Sequence, residues 1–145
     1  MSFRFELASV LRIRQSLEDH EERVLGRISF EIAQNATAIE QNADELTAAG
    51  LLASQQIASA SPAAELHDAY ARIAALRAQG MALAEHRSKL ILLRMEQIKI
   101  YEIAHRNRRM LTDLYDQRRT IYDAKLARLE QAGMDDAFNA RLHRR

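Results

Sequence analysis

The chain has 145 residues, 21 Lys/Arg against 20 Asp/Glu, one proline, four glycines and no cysteine or tryptophan. Without cysteine there is no disulfide framework or thiolate chemistry, which fits a reducing compartment. With so few turn residues the chain cannot reverse many times, because each reversal draws on Gly, Pro or an Asn/Ser cluster for its backbone angles. The 48% hydrophobic fraction is rich in alanine and only 6% of residues are aromatic, so a two-helix object of this length buries little and leaves part of its seam for a partner to finish.

The first residues, Phe3-Arg4-Phe5-Glu6-Leu7, carry a charge at every second position and contain no apolar run of signal-peptide type, so export by that route is not expected. Leu7, Val10 and Leu11 then begin a helical spacing with Arg12 and Arg14 beside them. Phe3 and Phe5 have two readings: a cap packed against Tyr115 or Tyr122 of the second helix, or an apolar plug for another protein.

From Leu17 the apolar or small residues Leu25, Ile28, Ile32, Ala36, Ile39, Ala43 and Leu46 recur in steps of three and four, with Glu21 in the one gap. Such a stripe predicts one continuous helix from about residue 5 to about residue 57. Gly50 and the run from Ala53 to Pro62 weaken and then stop the pattern, predicting a turn over about 58–62. Ser61 reads as an N-cap with Pro62 at the first helical position, and Glu65 and Asp68 suit the positive end of the next helix. A second helix is predicted over about 62–131, through Leu66, Ile73, Leu76, Leu83, Leu90, Ile91, Ile98, Tyr101, Leu111, Leu114, Tyr115, Ile121, Tyr122, Leu126 and Leu129, with Gly80 as its interior weak point. Gly133 is the expected stop, leaving a C-terminal segment over about 133–145 in which Asp135 and Asp136 start a shorter helix.

Together these elements predict an all-α fold, a long antiparallel two-helix coiled-coil hairpin forming a single domain over residues 1–145. Reversal near residue 60 pairs residue i with about 120 − i, placing Phe3 beside Arg118 and Arg119 and leaving the chain beyond about residue 122 to project as a single helix. Residues 1–85 hold 7 Lys/Arg against 12 Asp/Glu, net −5, and residues 86–145 hold 14 against 8, net +6. The two halves suit each other electrostatically; the alternative is two solvated faces of different composition.

Catalytic and cofactor chemistry finds no support. Gly26, Gly50, Gly80 and Gly133 are isolated and no Gly-Lys-Ser/Thr occurs, so there is no phosphate-cradling loop. His20, His67, His86, His105 and His143 form no pair on one helical turn, which argues against a metal site. Asp19 with Glu21-Glu22, and Asp135-Asp136, are carboxylate pairs without the concave pocket that acid–base catalysis needs. The expectation is no enzyme and no cofactor. The longest apolar run, Leu90-Ile91-Leu92-Leu93, is far too short to span a bilayer. The basic cluster Arg106, Arg108 and Arg109, with Arg118-Arg119 and nearby Tyr101, Tyr115 and Tyr122, has three readings: a protein-binding face, a nucleic-acid contact or a solvated surface. Asp113, Asp116 and Asp123 interrupt the positive face and the pI is 8.2, which favours protein over nucleic acid.

The opening Phe3-Arg4-Phe5-Glu6-Leu7 with Val10-Leu11-Arg12-Ile13-Arg14, the long coiled coil, and the closing Glu130-Gln131-Ala132-Gly133-Met134-Asp135-Asp136 together resemble the FliJ family of flagellar export proteins. That family commonly opens on F-x-F-x-L and V-L-x-x-R patterns and closes on an E-x-x-x-L-D-E-like signature before a basic tail. Here Met134 stands in the leucine position, Asp136 in the glutamate position, and Gly133 is an added breaker.

The resemblance implies a cytoplasmic protein, peripheral at the inner face of the membrane, in the type III export apparatus. Its implied fold is an antiparallel coiled coil similar to the stalk of rotary ATPases, and its implied partners are the hexameric export ATPase, the export gate protein and export chaperones. The corresponding partner-binding tip comprises Phe3, Phe5, Leu7, Val10, Leu11, Arg14, Arg118, Arg119, Tyr122, Met134, Asp135 and Asp136. Alternatives are a homodimeric structural coiled coil, an injectisome stalk-like relative and a nucleic-acid-binding helical protein.

Overall fold

A computed structural model describes residues 2–143; residue 1 and residues 144–145, the ends of the expected domain, lie outside the described residues. The protein is an all-α helical hairpin of two long helices packed against each other, α1 (Ala8–Ala58) and α2 (Ala63–Leu142). The chain divides into two compact units, and both helices pass through both. The terminal unit takes in the chain up to His20 and from Glu102 onward; the turn unit is Glu21–Tyr101. A pair of helices has no core that all of its residues share, because each side chain meets only those within a turn or two across the seam.

In the turn unit α1 presents Glu21, Leu25, Ile28, Ile32, Asn35, Ile39, Asn42, Leu46, Ala49 and Ala53 inward, alternate steps of four and three. This is a heptad seam, and α2 answers with Leu66, Ala69, Ile73, Leu76, Leu83, Leu90 and Gln97. Asn42 takes the place that an apolar stripe through Ala43 would have used, and Ala43 is exposed. The strict heptad explains the difference: Asn35 and Asn42 are seven apart, and each amide donates to a backbone carbonyl of α2, Asn35 to Leu83 (3.2 Å) and Asn42 to Leu76 (3.0 Å). Gln97 reaches back to Glu21, donating to its carboxylate and its carbonyl. Each step of seven or fourteen along α1 is matched by an equal retreat along α2, so the helices are antiparallel and in one register. Sliding them by a heptad would set Ile73 or Arg87 where Asn42 now meets Gly80, and a buried polar residue of this kind selects register at some cost in stability. Part of that cost is visible in Asn35 Oδ1, which is buried without a hydrogen-bond partner.

Gly80 looked from its neighbours like a weak point in α2, and its role is steric. A Cβ built at Gly80 would stand 2.7 Å from Asn42 Oδ1, so only glycine leaves room for the amide that bonds Leu76. Gly80→Ala is therefore expected to cost about 1 kcal/mol, since Asn42 must swing away and lose a buried hydrogen bond. In an Asn42→Ala background the same change should stabilise by about 1 kcal/mol through helix propensity. A double-mutant cycle on urea midpoints checks this, and additive effects would disprove the coupling.

The turn closes α1 with a Schellman arrangement: Ser61 N–H donates to the Gln56 carbonyl (3.0 Å) and Ala60 N–H to that of Ile57 (3.2 Å). Ala60 occupies the left-handed position with φ of 52°, where glycine is the usual resident. Ser61 thus belongs to the end of α1 and not, as the sequence suggested, to the cap of the next helix. Its hydroxyl meets that of Ser59 at 3.1 Å. The first α2 carbonyl is that of Pro62, which accepts from Glu65 and Leu66 N–H, so proline sits one place earlier than expected, at the cap.

Gly133 does not stop α2, which runs on to Leu142. A stop would need glycine in a positive-φ conformation, which no glycine of the described residues adopts. An isolated helical glycine costs only about 1 kcal/mol, and Glu130, Gln131, Ala132 and Met134 around it are good helix formers. Among the described residues no helix is long and apolar enough to cross a membrane.

Candidate functional site

In the terminal unit, residues 2–5 precede α1 in a non-helical segment. Along an extended chain alternate side chains point the same way, so the Phe-Arg-Phe spacing lets both rings face one side. Phe3 lies edge-on to Tyr115 (centroids 5.4 Å apart, 81° between planes) and tilted against Tyr122 (5.5 Å), and Phe5 meets Tyr115 edge-on at 5.3 Å. Tyr115 and Tyr122 are seven residues apart on one stripe of α2, which lets two turns of helix receive two rings. Phe5 is buried and Phe3 half-buried. The guanidinium of Arg119 stands 5.4 Å from the Phe3 ring centre and that of Arg118 6.0 Å from Phe5, within reach of cation–π attraction. Asp123 bonds Arg119 and raises its pKa further above the ordinary arginine value. Arg118 approaches Glu6 at 3.9 Å. Of the two readings open for the phenylalanines, the cap on Tyr115 and Tyr122 is the one the structure adopts.

Two open depressions flank this clasp. One of about 400 Å³ is lined by Ser2, Phe3, Arg4, Arg118, Ile121, Tyr122 and Lys125, the other of about 640 Å³ by residues between Phe3 and Arg12. No histidine lines either, and the only carboxylate is Glu6. The smaller one sets a cationic rim of Arg4, Arg118 and Lys125 beside the aromatic rings of Phe3 and Tyr122. Among the described residues no group of three or more His, Cys, Asp or Glu side chains is placed to hold a metal ion.

Of the other tip residues named from sequence, Leu7, Leu11 and Arg14 are half-buried and Val10 is exposed. Met134, Asp135 and Asp136 are exposed within α2, twelve or more residues past Tyr122, and are not brought to the clasp. The basic cluster is divided: Arg106 and Arg109 are exposed, whereas Arg108 turns into the seam. Helical geometry separates neighbours by about 100°, so Arg106, Arg108 and Arg109 cannot share one face.

The partner of Arg108 is Glu18, which sequence reasoning missed. Its carboxylate is buried and accepts from Arg108 through Nε and Nη2 and contacts His105 Nδ1 at 2.7 Å. Hydrogen bonding to Arg108, outweighing the opposing effect of burial and helped by His105, holds its pKa at about 2 against an ordinary 4.5. The apolar stripe drawn through Leu17 is off by one position here: Leu17 is exposed and Glu18 faces in. The available signal was the strict seven-residue step through Leu11, Glu18, Leu25 and Ile32.

Compared with family models, curated proteins and solved structures, the chain matches none.

Proposed function

We propose that this chain is a non-enzymatic component of the flagellar type III protein export apparatus, of the FliJ kind, which engages the hexameric export ATPase through its terminal unit. It works in the cytoplasm, peripherally at the inner face of the membrane, and couples the ATPase to the export gate protein and to export chaperones. The observation that carries the reading is the aromatic clasp. It fastens the first residues of the chain to α2 at Tyr115 and Tyr122 and surrounds them with Arg4, Arg118, Arg119 and Lys125. The clasp keeps the start of α1 from fraying off α2 at the place where the F-x-F opening stands, while α2 runs on past it to Leu142. The burial of Arg108 against Glu18 supports a protein partner over nucleic acid, because it takes one cation out of the basic cluster.

Adding the purified chain to the export ATPase of the same cell should raise its steady-state hydrolysis rate. Combining Phe3→Ala with Arg118→Glu should return the rate to its unstimulated value while the far-UV helical signal persists. Undiminished stimulation by that double variant would remove the terminal unit from the mechanism.

A further inference from the structure

In the terminal unit a second stripe runs beside the seam on each helix. On α2 it is Ile103, Asn107, Met110, Leu114, Gln117 and Ile121, in alternate steps of four and three; on α1 it is Val10, Ile13, Leu17 and His20. A period of 3.5 residues keeps a stripe against another helix, so this is the spacing of a packing surface. Val10 and Leu17 stand one residue before the seam positions Leu11 and Glu18, as Leu114 and Ile121 stand before Tyr115 and Tyr122. Antiparallel helices are related by a two-fold axis normal to the plane they share, so equivalent positions fall on the same side of that plane. The two stripes thus make one face. Val10, Ile13, Leu17, Ile103, Met110 and Ile121 on it are between 38% and 65% exposed, and neither stripe contains Asp, Glu, Lys or Arg. Arg12, Asp19, Glu102, Arg109, Asp116 and Asp123 all lie about 100° or more around their helices from it.

We infer that a second copy of this chain packs on this face, two terminal units meeting as a four-helix bundle. The breadth of the face decides how many helices cover it. One added helix would lie over the groove, against Val10, Leu17, Leu114 and Ile121, and would leave Ile13, Ile103 and Met110 on the outer edges bare. A second antiparallel pair covers all of them. A two-fold interface sets a patch against itself, an arrangement that like charges forbid and that two uncharged stripes permit. Of the charges nearest the face, Arg106 and Asp113 on the α2 edge are opposite in sign and seven apart, so an axis between them pairs each with its counterpart. Arg118 approaches Glu6 at the end of the face. Arg14 is half-buried between the stripes, and its stem is long enough to carry the guanidinium to the edge. From Ile103 to Ile121 the face is about 27 Å long and roughly 20 Å wide. Two such footprints reach the roughly 1,000 Å² that a specific interface needs. A lipid surface fits less well, because helices that lie on membranes are edged by cations, whereas here Asp113 offsets Arg106. The inference does not use the aromatic clasp and holds whether or not the terminal unit engages an ATPase.

The test is sedimentation equilibrium of the full chain over a wide range of concentration. An equilibrium between monomer and dimer is expected, with the dimer dominant by about 100 μM. Ile13→Ser with Met110→Ser, both exposed in the single chain, should weaken it at least about tenfold with the helical signal of the dilute chain retained. Leu92→Ser with Met95→Ser, comparably exposed apolar positions in the turn unit, should leave it as it is. Because the chain has no cysteine, Met110→Cys offers a second readout. A water-soluble maleimide should label it several-fold more slowly in concentrated than in dilute solution, whereas Met134→Cys, past the end of the face, should label at one rate. A chain still monomeric at about 500 μM, including one that binds phosphatidylglycerol vesicles or another protein through this face instead, would overturn the inference. So would a dimer that persists in Ile13→Ser with Met110→Ser, or one that Leu92→Ser with Met95→Ser dissolves.

Discussion

Phe5→Ala should cost about 3 kcal/mol and release the start of the chain from α2. Phe5 is only 6% exposed, and its ring is the one aromatic of the N-terminal segment seated fully against Tyr115. Large-to-small changes at aromatic core positions run from about 3 to 5 kcal/mol, and the lower end applies where a thin shell can relax into the gap. The loss should be local. Amide hydrogens early in α1, where Ala8 N–H is bonded to the Phe5 carbonyl, should lose protection before those of the turn unit. The near-UV dichroism of tyrosine should weaken with it. Phe30, 63% exposed, supplies the control, since its change to alanine should stay within about 0.5 kcal/mol. Equal effects at the two positions would show that the clasp contributes nothing to stability.

Arg108→Leu at neutral pH should cost about 2–3 kcal/mol, because it leaves the Glu18 carboxylate buried with His105 as its remaining partner. Glu18→Leu alone should cost less, since the guanidinium of Arg108, which also contacts His105, can extend to water along its flexible stem. Replacing both with leucine should restore or exceed the stability of the parent, because a packed apolar pair bears no desolvation cost. The pair also sets an acid limb. The folded-state pKa of Glu18, about 2, lies below its unfolded value of 4.5, so the carboxylate's contribution is complete above 4.5 and is lost as pH falls through about 2. Urea midpoints measured between those values should slope upward with pH in the parent, and that part of the slope should vanish in Glu18→Leu. An unchanged slope would mean that Glu18 is not held ionised by the fold.

Much of the architecture was legible in the sequence because it depends on short-range properties. Helix-forming composition and a single Pro62 at the reversal are features of local stretches, and they led to the hairpin and its antiparallel register. Where the reading drifted, the competing alternatives lay one residue or one interaction apart. Leu17 and Glu18 differ by about 100° around the helix, and hydrophobicity chose the leucine while the strict heptad chose the glutamate. Gly133 reads as a stop in isolation, but a glycine ends a helix only when it adopts the left-handed conformation, and here it does not. Arg108 was grouped with Arg106 and Arg109 because they are adjacent in the chain, although helical geometry sends them to different faces.

By itself the sequence determined that there are two helices, where the chain turns back, and that apolar seams run along both. It did so because helix propensity and the rarity of Gly and Pro act within a few residues of each other. Only the tertiary structure decided which polar groups enter the seam: Asn35 and Asn42 bonding carbonyls of α2, Gly80 leaving space for Asn42, and Glu18 meeting Arg108 and His105. Those choices depend on residues tens of positions away in the chain, since a buried polar side chain is tolerable only when the opposite helix offers a partner at that height.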